Sequence, residues 1–367
     1  MIYFDNAATS FVKPICVQYA MSNAIRTFSS PGRGAYSQAM KAAEMIYDCR
    51  CEIAELFNVK EIENIIFTSS ASHALNIAIN SVVKTGARIL VSGFEHNSVI
   101  RPIIAHGAEI IVAGTKLFDD NQLLNEFNDK IKFADAVVCT HVSNVFGYIL
   151  PIYEIAELCQ KYNKPLIVDA SQSAGILNVD FEKLSVAFVA MPGHKALLGP
   201  QGTGILLCNY EAIPLIHGGS GSESKSQHMP EFLPDRLEAG THNVPGIAGL
   251  KAGVEFVRDK GLEEIRSHET GLLKLMIKQM ENSDYELFYG DNQLGVLSLR
   301  HSNIDSEELA AALSKEDICI RAGMHCSPRA HKSAGTYESG TARFSFSIFN
   351  NSDEIYSACD FLKNLKN

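Results

Sequence analysis

Between about residues 62 and 210, short apolar runs alternate with segments of helical periodicity. The runs that predict strands are 65–67, 88–91, 110–112, 136–139, 166–168, 186–191 and 204–207. Strands that are apolar throughout are typical of a mostly parallel sheet buried on both faces by helices. The sequence therefore predicts an α/β fold of the doubly wound type.

The remainder of the chain predicts a second, smaller unit. A Gly/Ser-rich stretch that begins at His217 predicts a loop, and a long helical pattern covers about 245–282. Strands are expected near 296–300, 318–321 and 343–347, and helices near 306–314 and 353–365. We expect a large domain over 13–245, and a smaller α+β domain over 246–367 that includes segment 1–12.

Composition excludes several classes of protein. With 367 residues, 46% of them hydrophobic, the chain can build a large core and is not a disordered chain. A net charge of −10 without a basic run argues against nucleic-acid binding. Nine cysteines without a CxxC pair favour neither a disulfide framework nor a metal site. With no signal-peptide pattern and no long apolar run, we expect a cytoplasmic protein that does not bind membranes.

Polar residues follow several of the predicted strands, at the edge where open α/β sheets bind ligands. The turn 69–72 opens a helix and could bind a phosphate, or it could be an ordinary helix cap. His96 could stack on a planar ligand or move protons, or it could be structural. Asn144 could donate to a ligand oxygen, or it could simply shape a turn.

Two further strand ends carry the strongest chemistry. Asp169 ends a buried strand and needs a cationic partner, such as a protonated pyridine nitrogen, unless it forms a capping box with Gln172. Lys195 follows a strand in a glycine-flanked turn, where burial lowers the pKa of an amine and makes it a nucleophile for carbonyls. It could instead bind phosphate or be solvated. Together the strand ends predict a pyridoxal phosphate (PLP) site.

Nine stretches in order extend this prediction to nearly the whole chain. They are YFDNAATS at 3–10, FTSSASHALNIAI at 67–79, EHNSV at 95–99, HVSNVFG at 141–147, VDASQSAG at 168–175, GHKALLGPQGTGIL at 193–206, RLEAGTHN at 236–243, RAGMHC at 321–326 and TARFSFSIFN at 341–350. The sequence resembles the class V aminotransferase-like group of fold type I PLP enzymes, and within it the cysteine desulfurases and selenocysteine lyases. The resemblance implies a large domain with a seven-stranded, mostly parallel sheet and a smaller α+β domain.

The resemblance implies a role for each residue that would surround the cofactor ring. Lys195 would hold PLP covalently and act as a catalytic base, and Asp169 would pair with the pyridinium nitrogen. Gln172 and Asn144 would bond the hydroxyl side of the ring. His96 would stack on the ring face and supply a proton.

The phosphate of the cofactor would be held by a separate group of residues. The resemblance implies Ala71 through its backbone, Ser72 and His194. Thr241 would reach the phosphate of a neighbouring subunit, which implies a homodimer.

The substrate and the transferred sulfur would be handled by residues of the smaller domain. Arg343, with Arg321 and Asn144, would bind the substrate carboxylate. Cys326 would accept the sulfur, and Arg321 and His325 lie near it in sequence to favour a thiolate. Its segment resembles the short-loop desulfurases related to the Suf assembly system.

The predicted reaction converts L-cysteine to L-alanine and leaves a persulfide on Cys326. The sulfur would pass to an acceptor protein or a small thiol, as in iron–sulfur cluster assembly. Three alternatives share parts of this site: a selenocysteine lyase acting on L-selenocysteine, a class V aminotransferase or lyase, and a cofactor-free scaffold or sulfur-carrier partner.

Overall fold

The computed structural model describes residues 1–32 and 34–365. The strands are β1 (Ile2–Tyr3), β2 (Ile65–Thr68), β3 (Arg88–Ser92), β4 (Glu109–Ala113), β5 (Ala136–Thr140), β6 (Leu166–Asp169), β7 (Phe188–Pro192), β8 (Gly204–Cys208), β9 (Tyr285–Phe288), β10 (Val296–His301), β11 (Ile318–Cys319), β12 (Arg321–Gly323) and β13 (Thr341–Ser345). The α-helices are α1 (Ile15–Thr27), α2 (Ser37–Phe57), α3 (Ala71–Val82), α4 (Asn97–Ala105), α5 (Asp120–Lys130), α6 (Ile152–Lys161), α7 (Phe181–Leu184), α8 (Val244–Lys260), α9 (Leu262–Met280), α10 (Ser306–Lys315), α11 (Pro328–Ser333) and α12 (Ser352–Asn364).

A seven-stranded sheet forms the centre of the larger layer, in the order β2-β8-β7-β6-β5-β3-β4. All neighbouring strands are parallel except β8, which runs antiparallel to β7 and β2. Along β3, Leu90 faces one hydrophobic core, whereas Ile89 and Val91 face another on the opposite side. Burial on both faces explains the continuous apolar runs and confirms the predicted α/β architecture.

A four-stranded antiparallel sheet, β12-β13-β10-β9, forms the smaller layer. Helices α9 and α12 pack together and share its separate hydrophobic core. The N-terminal segment joins this layer, since Phe4 is buried in that core and its carbonyl accepts from the Ser345 N–H at 2.7 Å. Helix α8 instead packs against α1 and α2. The domain limits near residues 12 and 245 stay a prediction.

Two predicted elements are wrong in extent. The single long helix over 245–282 is two helices, because Gly261 has a φ of +85°, which ends α8 before α9 begins. The single strand over 318–321 is also two strands. β11 pairs with β1, whereas β12 pairs with β13 in the four-stranded sheet.

The helices of the described part of the chain are all too short or too polar to cross a bilayer.

Candidate active site

The carboxyl ends of β3, β5, β6 and β7, the start of α3, and strands β12 and β13 surround a cavity of about 200 Å³. Most residues predicted to bind the cofactor or the substrate line it. They are Ala71, Ser72, His96, Asn144, Asp169, Gln172, His194, Lys195, Arg321 and Arg343. Residues from distant parts of the sequence thus meet where parallel strands end, as the topology requires.

Lys195 brings a nucleophilic amine into this cavity. It follows β7 in a turn that is closed by a hydrogen bond, in which the Leu198 N–H donates to the Lys195 carbonyl at 2.9 Å. Burial lowers the pKa of the Lys195 amine to about 8, although the Asp169 carboxylate acts in the opposite direction. A large fraction of the amine is therefore neutral near pH 8, in the form that attacks carbonyls.

Asp169 places a carboxylate at the end of β6 that has little contact with solvent. One oxygen accepts from the Ser171 N–H at 2.9 Å. Within residues 1–32 and 34–365, no basic side chain forms an ion pair with it. A buried carboxylate without a cationic partner is costly, so this position suits a cationic ligand group. Gln172 lies beside it and donates from Nε2 to the Ala7 carbonyl at 3.0 Å.

His96 caps the start of α4 and lies half-buried at the cavity. Its Nδ1 accepts from the Ser98 N–H at 3.0 Å, which leaves the proton of the neutral ring on Nε2. Burial lowers the pKa of His96 to about 4, so the imidazole is neutral at pH 7. A neutral, oriented ring suits stacking on a planar ligand.

The N-terminus of α3 borders the same cavity through Ala71 and Ser72. Ser70 caps the helix by accepting from the His73 N–H at 3.1 Å, which leaves the N–H groups of Ala71 and Ser72 outside that cap. Because the helix dipole is positive there, this end suits an anion. His194 lies nearby, with Nδ1 3.0 Å from Thr9 Oγ1, and burial lowers its pKa to about 4.

Arg343 lies on β13 and is only 1% exposed. Its Nη2 forms an ion pair with Asp5, and Nη1 donates to the Asn144 carbonyl at 2.9 Å. Its Nε has no protein partner among the described residues. Sequence reasoning missed Asp5 as a site residue, although the N-terminal motif at 3–10 contained it.

Cys326 projects from the turn between β12 and α11, beside the residues that line the cavity. The residue is exposed, and its Sγ lies 3.7 Å from Arg321 Nη2. Both His325 and Cys326 have positive φ angles, +47° and +58°. Of the nine free cysteines, the only other exposed one is Cys16, which lies on α1.

Thr241 does not line the cavity that contains Lys195 of the same chain. It is exposed in the turn after Gly240 and borders a separate cavity of about 320 Å³. Its action on a neighbouring subunit stays a prediction. The described ranges also contain no cluster of three or more His, Cys, Asp or Glu side chains that could hold a metal ion.

Comparison with known proteins places this geometry in a family. The aminotransferase class-V family model matches residues 2–357. A protein named "Probable cysteine desulfurase" from Methanothermobacter thermautotrophicus is 31% identical, covering 96% of this chain and 92% of its own length. Another of that name from Pyrococcus abyssi is 30% identical, covering 100% and 94%.

Solved structures agree with the sequence relatives. The apo structure of a cysteine desulfurase from Thermococcus onnurineus NA1 superposes with a TM-score of 0.91 at 29% identity, covering 99% of this chain and 94% of that chain. The matched region includes the seven-stranded and four-stranded sheets and every residue of the cavity. The chain therefore belongs to the aminotransferase class-V family.

Proposed function

We propose that the protein is a PLP-dependent cysteine desulfurase that converts L-cysteine to L-alanine through a persulfide on Cys326. The observation that carries this proposal is the meeting of two nucleophiles. The Lys195 amine lies in the strand-end cavity, and the Cys326 thiol lies beside it next to Arg321. The names of the similar proteins support the same reaction.

The residues of the cavity fit PLP. Asp169 offers a buried carboxylate without a cationic partner in the described ranges, which suits a protonated pyridine nitrogen. The N-terminus of α3, with Ala71 and Ser72, suits the phosphate, and the neutral His96 ring suits one face of the cofactor. When bound, PLP supplies an electron sink for charge on the carbon beside the substrate amine.

The basic side chains bind and activate the substrate. Arg343, through its unpartnered Nε or in exchange for Asp5, and Arg321 would hold the substrate carboxylate. Lys195 Nζ would then take the proton from the α-carbon, since burial lowers the pKa of its amine to about 8 and so raises the neutral fraction. His96 would supply a proton from Nε2 late in the reaction.

The Cys326 thiolate carries out the sulfur transfer. Its Sγ would attack the substrate sulfur, so that a new S–S bond forms as the substrate C–S bond breaks. The electron pair of the broken bond stays with the substrate carbon, which takes up a proton to give alanine. The sulfur would then pass from Cys326 to an acceptor protein or a small thiol.

Several features support a homodimer in a reducing, cytoplasmic setting. Apolar side chains at the start of the chain and on α1 are exposed, namely Phe11, Ile15, Tyr19 and Ile25. An apolar surface of this kind favours association with a second copy, which would also bring a Thr241 to each cavity. All nine cysteines are free, which is in keeping with a reducing compartment.

The turn that carries Cys326, between β12 and α11, spans only residues 324–327. Its length is in keeping with the short-loop, Suf-type branch.

The deciding experiment measures alanine and sulfide released from L-cysteine by the PLP-loaded protein in the presence of dithiothreitol, which reduces the persulfide and releases its outer sulfur as sulfide. We expect equal amounts of both products from the wild type and from Cys16→Ala, which removes the other exposed thiol. Cys326→Ala should lose at least about a hundredfold in rate while keeping the cofactor absorbance. Full activity of Cys326→Ala would refute the role of this thiol. A rate with L-selenocysteine that survives in Cys326→Ala would favour a selenocysteine lyase instead.

A further inference from the structure

The side chain of Asn144 is bonded at both ends to the segment that carries Cys326. Its Nδ2 donates to the His325 carbonyl at 2.8 Å, and its Oδ1 accepts from Ser327 Oγ at 2.6 Å. His325 and Ser327 are the two neighbours of Cys326 in the chain. One carboxamide therefore holds the backbone carbonyl of the residue before the thiol and the side-chain hydroxyl of the residue after it.

The backbone of this turn depends on such contacts. His325 and Cys326 both lie in the left-handed region, which costs energy for residues other than glycine and persists only where the surroundings hold it. A second contact comes from the Asn97 N–H, which donates to the Cys326 carbonyl at 2.8 Å. Both anchors follow strands of the seven-stranded sheet, so the turn is fastened to the opposite side of the cavity.

Ser327 does not itself line the cavity. It is fully buried, and Asn144 Oδ1 is the partner to which its hydroxyl donates. Asn144 in turn lines the cavity, and its carbonyl accepts from Arg343 Nη1 at 2.9 Å. The hydroxyl of Ser327 thus connects the thiol segment to a residue that also contacts Arg343.

We propose that the Ser327–Asn144 hydrogen bond is the link that holds Cys326 in register with a ligand in the Lys195 cavity. Ser327 is then a positioning residue for sulfur transfer, since it reaches the reacting atoms only through Asn144. This inference rests on the proposed desulfurase function. It names Ser327 as the residue that aligns the Cys326 thiol with the Lys195 cavity.

The test compares Ser327→Ala with Ser333→Ala in the PLP-loaded protein. Ser327 precedes the short helix α11, and Ser333 is the last residue of that helix. The Ser333 hydroxyl donates to the Gly93 carbonyl at 2.9 Å and does not bond Asn144. It therefore controls for loss of a hydroxyl anchor on α11. One readout is amide hydrogen exchange of the peptide spanning 324–328, with and without PLP. The other is the rate of persulfide formation on Cys326 in a single turnover, followed by mass.

In Ser327→Ala we expect exchange in 324–328 to rise about fivefold, the factor that corresponds to one hydrogen bond of ordinary net strength. Persulfide formation should slow by about the same factor, while the cofactor absorbance stays unchanged. Ser333→Ala should stay within about twofold of the wild type in both readouts. The inference is overturned if either readout in Ser327→Ala matches Ser333→Ala. Absence of alanine from the wild type would refute the proposed function instead, and the exchange readout would still decide whether the link exists.

Discussion

The two sides of the cavity hold their reactive groups in opposite ways. On the strand-end side, formed by His96, Asp169 and Lys195, the groups follow strands of the large sheet and lie largely away from water. On the thiol side, formed by Arg321, Cys326 and Arg343, the thiol is exposed on a turn with positive φ. Burial adjusts the protonation of the strand-end groups, whereas hydrogen bonds from the opposite side fix the position of the thiol. The difference matches the two proposed tasks, activation of a bound molecule on one side and transfer of sulfur to the thiol on the other.

The largest effect is expected at the centre of the strand-end side. Lys195→Ala should abolish covalent attachment of PLP and reduce alanine formation by at least about a thousandfold, because no other amine lines the cavity in the described ranges. Spectra and turnover of PLP-treated protein measure both. Lys13→Met is the matched control, since burial also lowers the pKa of Lys13 to about 8 but its Nζ bonds the His194 carbonyl at 3.0 Å. If Lys13→Met and not Lys195→Ala lost the spectrum, the strand-end assignment would be wrong.

A smaller effect is expected on the thiol side from Arg343→Lys. The ammonium cannot reproduce the guanidinium contacts to Asp5 and to the Asn144 carbonyl while also binding a carboxylate. We expect kcat/KM for L-cysteine to fall about a hundredfold, mainly through KM. Arg300→Lys, near the end of β10 and paired with Glu286 on the neighbouring strand β9, should leave both constants unchanged. An unchanged KM in Arg343→Lys would contradict its contact with the substrate carboxylate.

The pH dependence of cofactor attachment tests whether burial lowers the pKa of the Lys195 amine. Since burial lowers the pKa of Lys195 to about 8, the rate at which the apoprotein takes up PLP should rise with pH and reach half its maximum near pH 8. Asp169 raises this pKa, so Asp169→Asn should move the midpoint to lower pH. Absorbance after mixing gives the rate, and the same pH series with free N-acetyl-lysine corrects for titration of PLP. A midpoint near 10 would show that the amine is solvated.

The smallest effect concerns a carboxyl behind Lys195. Glu269 on α9 and Lys195 both line a second cavity of about 40 Å³, and burial raises the pKa of Glu269 from 4.5 to about 8. The folded protein therefore keeps this proton where the unfolded chain releases it, so stability is lost as pH rises from about 4.5 to 8.

The corresponding measurement is the Tm of Glu269→Gln relative to the wild type. We expect the variant to melt a few degrees higher at pH 8 and by a smaller margin at pH 5. Glu263→Gln, an exposed position on the same helix, should show no such trend. A margin that does not change with pH would mean that Glu269 is ionised in the folded protein.

The sequence predicted the strand-end side better than the thiol side, for physical reasons. Buried parallel strands have a clear apolar pattern and place the next polar residue at the sheet edge, which made Asp169 and Lys195 visible. The Arg343–Asp5 pair joins residues far apart in the chain, so no local pattern indicates it. No local pattern indicates the role proposed for Ser327 either, because its hydroxyl bonds Asn144, which follows β5 and is far away in the sequence. The break at Gly261 was missed because the helical pattern continues on both sides of it.

Persulfide formation on Cys326 is tested by a single turnover of the PLP-loaded protein with L-cysteine, with no further thiol acceptor present. We expect the peptide containing Cys326 to gain one sulfur atom, in an amount equal to the alanine released, and peptides with Cys16 to gain none. Alanine without added sulfur on Cys326, or sulfur spread over other cysteines, would contradict this expectation.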